Sequence, residues 1–172
     1  MGAVTVKDLR SELSAVPERF WIASSYPDQA GVVAWLPLVK ISATDIWLGI
    51  DREGVWTLGR LEGAVESSRE SMPSSWVTIL DGDENALRTA LDSAAERFRI
   101  SSAILQGMVP IDAVLTMAIK SRSSHWVERA VHWMSERDIS REHLELLQDL
   151  TTADWASQRI RHIARRLVKT GG

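Results

Sequence analysis

The chain has 172 residues, 45 % apolar and 25 % charged, with a net charge of −3 and no cysteine. That composition excludes disorder over most of its length, and the missing thiols exclude disulfides, Cys-ligated zinc, iron–sulfur clusters and thiol catalysis. Residues 1–99 carry ten basic and fifteen acidic side chains, whereas 100–172 carry ten and eight, so any grip on a polyanion must come from a local patch.

From the N-terminus, "TVKDLRSELSA" (5–15) is read as a short helix, with Thr5 and Asp8 spaced as a capping box and Val6, Leu9 and Leu13 on one side. "FWIASSYP" (20–27) is read as a strand closed by Pro27. "GVVAWLPLV" (31–39) is read as a second strand, with Pro37 demanding an edge or a break. This apolar run is far shorter than the roughly 20 residues a membrane-spanning helix needs. The N-terminal stretch "MGAVTVKDLRSEL" has charges where a signal peptide is apolar, and Val6 stands where myristoylation favours Ser or Thr. A cytoplasmic, non-membrane protein is expected.

"DIWLGIDREGVWTLGRLEG" (45–63) is the clearest local pattern. Asp51 and Gly54 suit the first and fourth positions of a type I turn. Pairing them sets Ile50 opposite Val55, Gly49 opposite Trp56 and Trp47 opposite Leu58, with the Trp56 ring covering Gly49. Residues 64–75 are read as loop or a single helical turn, "WVTIL" (76–80) as a buried strand, and "DGDENALRTALDSAAERF" as a helix capped by Asp83 with Leu87, Leu91, Ala94 and Phe98 inward. Five of the eight tryptophans (Trp21, Trp35, Trp47, Trp56, Trp76) fall in these strand-like segments, which points to sheet-face packing ahead of an aromatic ligand face.

From Pro110 on the pattern is helical. "PIDAVLTMAIK" starts with proline in its first turn, "SHWVERAVHWMSERD" (124–138) follows a serine cap, and "SREHLELLQDL" (140–150) and "TADWASQRIRHIARRLVK" (152–169) complete the set. The expected fold class is α+β: a Trp-rich antiparallel sheet with flanking helices over 1–99, then a C-terminal bundle of about four helices over 100–172. With no Gly/Pro/Ser linker between them, the two are expected to pack as one protein.

Chemistry leaves few marks. No G-x-S-x-G, G-x-x-x-x-G-K-[ST] or G-x-G-x-x-G occurs, and Asp81, Asp83 and Glu84 in "ILDGDEN" read as capping carboxylates. His125, Glu128, His132 and Glu136, spaced by 3, 4 and 4, share one narrow helix face and are of metal-ligand type. H-E-x-x-H is absent, however, and Arg129 shares that face, so a solvated face is the simpler reading.

The last helix is the most charged. Ala156, Ile160, Ile163, Ala164 and Leu167 share its apolar side, and Arg159, Arg161, His162, Arg165, Arg166 and Lys169 cover the rest. The preceding helix presents Glu142, Glu145 and Asp149, which could pair with some of these arginines across an antiparallel hairpin. The remaining cations read first as a solvated surface, then as a docking site for an acidic protein partner, and last as a grip on nucleic acid.

The functional expectation is a non-enzymatic interaction protein of adaptor, accessory or toxin-neutralising type, needing no cofactor and binding another protein. The excess of arginine over lysine, sixteen to four, fits a GC-rich bacterial source. The alternatives are a nucleic-acid-binding module using the basic helix and, last, a metal-dependent enzyme using the His125–Glu136 face.

Overall fold

The computed structural model describes residues 6–27, 31–41, 45–69 and 72–171. The fold is α+β: a five-stranded, curled antiparallel sheet in the N-terminal half, then helices. The chain forms two compact units, Met1–Pro110 and Ile111–Gly172.

In the first unit, helix α1 (Val6–Leu13) buries Leu9 and Leu13; the Thr5 cap lies outside the described residues. Strands β1 (Ile22–Ser24), β2 (Val33–Ile41), β3 (Ile46–Asp51), β4 (Trp56–Gly59) and β5 (Val65–Ser67) lie side by side in chain order. The first and last strands meet at one end: Ser25 pairs with Ala64, and the Val65 N–H donates to the Ser25 carbonyl at 3.0 Å.

Pro37 stands inside β2, and the register against β3 shifts between Pro37 and Val39. β1 pairs only with Val33–Trp35, so Pro37 withholds its missing N–H on a stretch that β1 does not reach.

The β3–β4 hairpin is present, but one residue out of the expected register. Ile50 faces Trp56, Gly49 faces Thr57 and Leu48 faces Leu58. The Asp51 N–H donates to the Val55 carbonyl at 2.9 Å, enclosing a three-residue loop, Arg52-Glu53-Gly54. Gly54 has φ +78°, the left-handed residue that follows a type I turn in such loops. The Asp51 carboxylate holds the loop, with Oδ1 accepting from the N–H groups of Glu53 at 2.8 Å and Val55 at 2.9 Å. The shift changes which indole covers Gly49: it is Trp35, from the neighbouring strand, and not Trp56.

Three further expectations are corrected. Residues 76–80 are not a strand but part of a 3-10 segment, Ser74–Asp81. Its buried Trp76, Val77, Ile79 and Leu80 follow an i, i+1, i+3, i+4 pattern, a helical face, and the Thr78 hydroxyl donates to the Ser75 carbonyl at 2.7 Å. Residues 64–75, expected as loop or a single helical turn, contain β5 as well as the start of that 3-10 segment. Similarly, the expected strand at 20–27 is reduced to β1 after a 3-10 turn at Glu18–Phe20.

Helix α2 (Glu84–Phe98) begins as read: Asp83 Oδ1 accepts from the Ala86 N–H at 2.7 Å, and Leu87, Leu91, Ala94 and Phe98 are buried. Helix α3 (Ser102–Met108) completes this unit. Residues 102–120 have the length and mean hydropathy, 1.6, of a membrane span. They are not one continuous helix, because Val109 is extended (ψ 129°) and the next helix starts after Pro110.

The second unit is helical: α4 (Ile111–Lys120), α5 (Ser124–Met134), α6 (Arg141–Leu150) and α7 (Gln158–Gly171). Its core includes Val114, Leu115, Val131, Trp133, Leu147 and Ala164. The Ser140 hydroxyl caps α6, accepting from the His143 N–H at 3.2 Å, whereas Ser123 sits at the start of α5 without a side-chain cap bond. The buried His143 ring ties α6 to α4, its Nε2 lying 3.2 Å from both the Thr116 hydroxyl and the Asp112 carbonyl. α7 starts six residues later than its apolar pattern suggested. Residues 151–157 form turns, and the Ser157 hydroxyl accepts from the Ile160 N–H at 3.2 Å.

Candidate functional site

α7 is amphipathic because Ile160, Ala164 and Leu167 recur at helical spacing and are buried. At 100° per residue its cations do not form one surface. Arg159 and Arg166, seven residues apart, fall on one flank, Arg161 and Arg165 on the opposite flank, and His162 and Lys169 on the outer side. The structure gives each group a different task.

Arg161 and Arg165 are used within the unit. The Arg165 guanidinium donates to the Thr151 carbonyl at 3.0 Å and that of Arg161 to the Ala153 carbonyl at 3.2 Å. These carbonyls lie at and just beyond the C-terminal end of α6, where a helix leaves acceptors unpaired and its dipole favours cations. The expected acid–base edge between α6 and α7 does not form: among the described residues no ion pair joins Glu142, Glu145 or Asp149 to α7, and Glu145 is paired with Arg141 on its own helix at 3.5 Å. The arginines are drawn to backbone oxygens instead. His162 and Lys169 are exposed.

Arg159 and Arg166 face α5. With Ile163 they line a groove of about 300 Å³ whose other wall is His125, Glu128, Arg129, His132 and Ser135. The two residue sets that the sequence offered as separate candidates, the basic helix and the His/Glu face, thus contribute to a single site. Arg159 and Glu128 are paired across it at 2.9 Å. On the α7 wall, Arg159 and Arg166 outnumber Glu128, the single carboxylate that lines the groove.

The His/Glu face does not assemble as metal ligands. The Glu128 carboxylate is engaged by Arg159, and Glu136 lies beside His132 Nε2 at 3.7 Å, outside the groove lining. Among the described residues no three His, Asp or Glu side chains converge as metal ligands would. Ser135, His132 and Glu136 resemble a serine–histidine–acid set by composition only. The Ser135 hydroxyl donates to the His132 backbone carbonyl at 2.6 Å, and His132 Nε2 lies 3.7 Å from Glu136.

A second depression of about 270 Å³ lies in the first unit, lined by Tyr26, Val32, Val33, Asp51, Arg52 and Glu53 among others. Its polar groups serve the fold. The Tyr26 hydroxyl donates to Asp51 Oδ2 at 3.1 Å, Arg52 pairs with Glu18 and lies 4.5 Å over the Trp21 ring, and Glu53 pairs with Arg10 at 2.9 Å. Burial, then the Asp51 charge, push the Tyr26 phenol up to about 12.

Because Tyr26 is the sole tyrosine, phenolate absorbance can report it directly. Ionisation is expected near pH 12 in the folded protein and lower in Asp51→Asn, though still above the ordinary value of about 10 because burial remains. The folded state holds this proton more tightly than the unfolded chain. Its contribution to stability is therefore complete below about pH 10 and lost as pH rises towards 12. Ionisation at the ordinary value, unchanged by Asp51→Asn, would contradict this.

Four of the eight tryptophans, Trp35, Trp56, Trp76 and Trp133, are buried; Trp21, Trp47 and Trp126 are half-buried, and Trp155 is exposed at 37 %. Arg129, Ser135 and Ile163 belong to the groove although the sequence did not mark them as site residues. Comparison with family models, with curated proteins and with solved structures gives no match.

Proposed function

We propose that the chain is a non-enzymatic interaction protein whose α5–α7 groove recognises an acidic region of a partner protein. The observation that carries this reading is the division of labour on α7. Arg161 and Arg165 are spent on the end of α6, while Arg159 and Arg166 are directed to an open groove. Arginine suits such a face because its planar fork meets a carboxylate with two parallel hydrogen bonds. A nucleic-acid ligand is disfavoured by the net charge of −3 and by the few cations that share one surface.

The test is affinity capture from the native host with mass spectrometry, run in parallel with an Arg159→Glu/Arg166→Glu variant. A defined protein recovered by the native chain and lost by the variant, at equal thermal stability, is the expected result. Recovery of chaperones alone by both would count against it. DNA or RNA retained above physiological salt, and released by the same substitutions, would move the reading to nucleic acid.

A further inference from the structure

This inference deepens, and rests on, the reading of the α5–α7 groove as a protein-recognition face. We propose that Glu128 stands in for a partner's carboxylate, and that the partner presents two acidic side chains about two helical turns apart, one of which displaces Glu128 from Arg159.

Three observations lead there. First, the groove already seats a carboxylate: Glu128 Oε1 is 2.9 Å from the Arg159 guanidinium, so the site accepts this group in this geometry. The pair is open to competition, since the Arg159 and Glu128 side chains are 77 % and 42 % exposed. Exposed pairs contribute only about 0–1 kcal/mol, so exchanging one carboxylate for another costs little. Second, Arg166 lies on the same flank of α7 with no ion-pair partner among the described residues. Seven residues of helix separate it from Arg159 by about 10 Å along the axis. Third, Ile163 lines the groove between the two arginines, spaced four and three residues from them, and is half-buried. The recognition strip is therefore cation, aliphatic side chain, cation. Its complement is a segment with an aliphatic side chain flanked by two carboxylates, such as Glu seven residues apart on a helix with Leu midway.

A continuous polyanion suits this strip less well. Glu128 lies in the groove and Glu136 sits next to His132, so a chain of phosphates would meet negative charge beside the arginines.

Fluorescence anisotropy on the whole protein tests this, using a fluorescein-labelled helical peptide with two Glu seven residues apart and Leu between them. Controls are the same peptide with Gln for Glu, and a labelled single-stranded oligonucleotide. Glu128→Gln keeps the shape of the groove wall and removes the competing charge, so it should tighten peptide binding by up to about 5-fold. Arg159→Glu/Arg166→Glu should weaken it by about 30-fold or more, and the Gln peptide should bind neither protein well. Glu128→Ala, also expected to bind more tightly, guards against a folding artefact of a single variant.

Unchanged or weaker peptide binding by both Glu128 variants, or no binding to any form, overturns the proposal. Tighter binding of the oligonucleotide than of the peptide also overturns it, in favour of nucleic acid. If a captured host protein still depends on Arg159 and Arg166 while neither Glu128 variant tightens that interaction or the peptide's, this inference fails and the reading of the groove survives.

Discussion

Replacing Trp35 with alanine is expected to destabilise the first unit by about 3–5 kcal/mol, the range for removing a large buried aromatic side chain. Trp35 is fully buried in β2, opposite Ile22 of β1 and Asp51 of β3, and its ring lies against the Gly49 backbone. Against a typical total of about 5–15 kcal/mol, the loss should be plain in the urea midpoint followed by far-UV circular dichroism. Trp35→Phe is the informative companion. The indole N–H has no hydrogen-bond partner among the described residues, so phenylalanine keeps a ring over Gly49 and gives up no polar contact there. It should cost much less than alanine. Equal costs for the two would mean that the ring over Gly49 is not what holds this part of the sheet.

Gly49→Ala is expected to be the next most damaging change, at about 1–3 kcal/mol or more. A Cβ there would lie 2.6 Å from Trp35 Cε3 and would also press on the Leu36 carbonyl oxygen, a backbone atom that cannot swing away. The pair should be coupled. In Trp35→Ala the ring clash is gone, so adding Gly49→Ala should cost less than it does alone by about 0.5 kcal/mol or more, though not nothing, because the Leu36 carbonyl stays. A tolerated Gly49→Ala would mean that the Trp35 ring and the Leu36 carbonyl do not close on this position.

That register shows how far the sequence could be read. The hairpin was visible because Asp51 and Gly54 bracket a turn between apolar runs. Its register was not, because turn closure between Asp51 and Gly54 was taken to continue directly into ladder pairs. The left-handed Gly54 instead adds a residue and passes the first pair to Asp51 and Val55. At residues 76–80 β-branched residues and an indole favoured a strand, while the spacing of the buried positions, helical over only five residues, was too short to outweigh them. Longer elements were easier: α2, α4, α5 and α6 each repeat an apolar stripe over two turns or more, and local caps then have little to decide.

The groove was half legible. Each wall could be read from its own periodicity: His125 and His132 recur at seven residues on α5, as do Arg159 and Arg166 on α7. Which flank of α7 would meet α5 and which would meet the end of α6 depends on how three helices share Ile160, Ala164 and Leu167, and no single-helix pattern carries that information. The acidic stripe of α6 invited pairing with α7. Yet the carbonyls at and beyond the end of that helix, otherwise short of donors, take the arginines instead.

The account therefore depends on the arginines of α7 having separate duties. The most direct measurement is the affinity of the captured partner for two double variants, Arg159→Ala/Arg166→Ala and Arg161→Ala/Arg165→Ala, with their melting temperatures as control. The first should lose the partner and melt as the native chain does. The second should keep the partner and melt lower, having lost two hydrogen bonds to backbone carbonyls at about 1 kcal/mol each. Equal loss of affinity in both variants, or loss only in the second, would contradict the assignment of recognition to the α5–α7 groove.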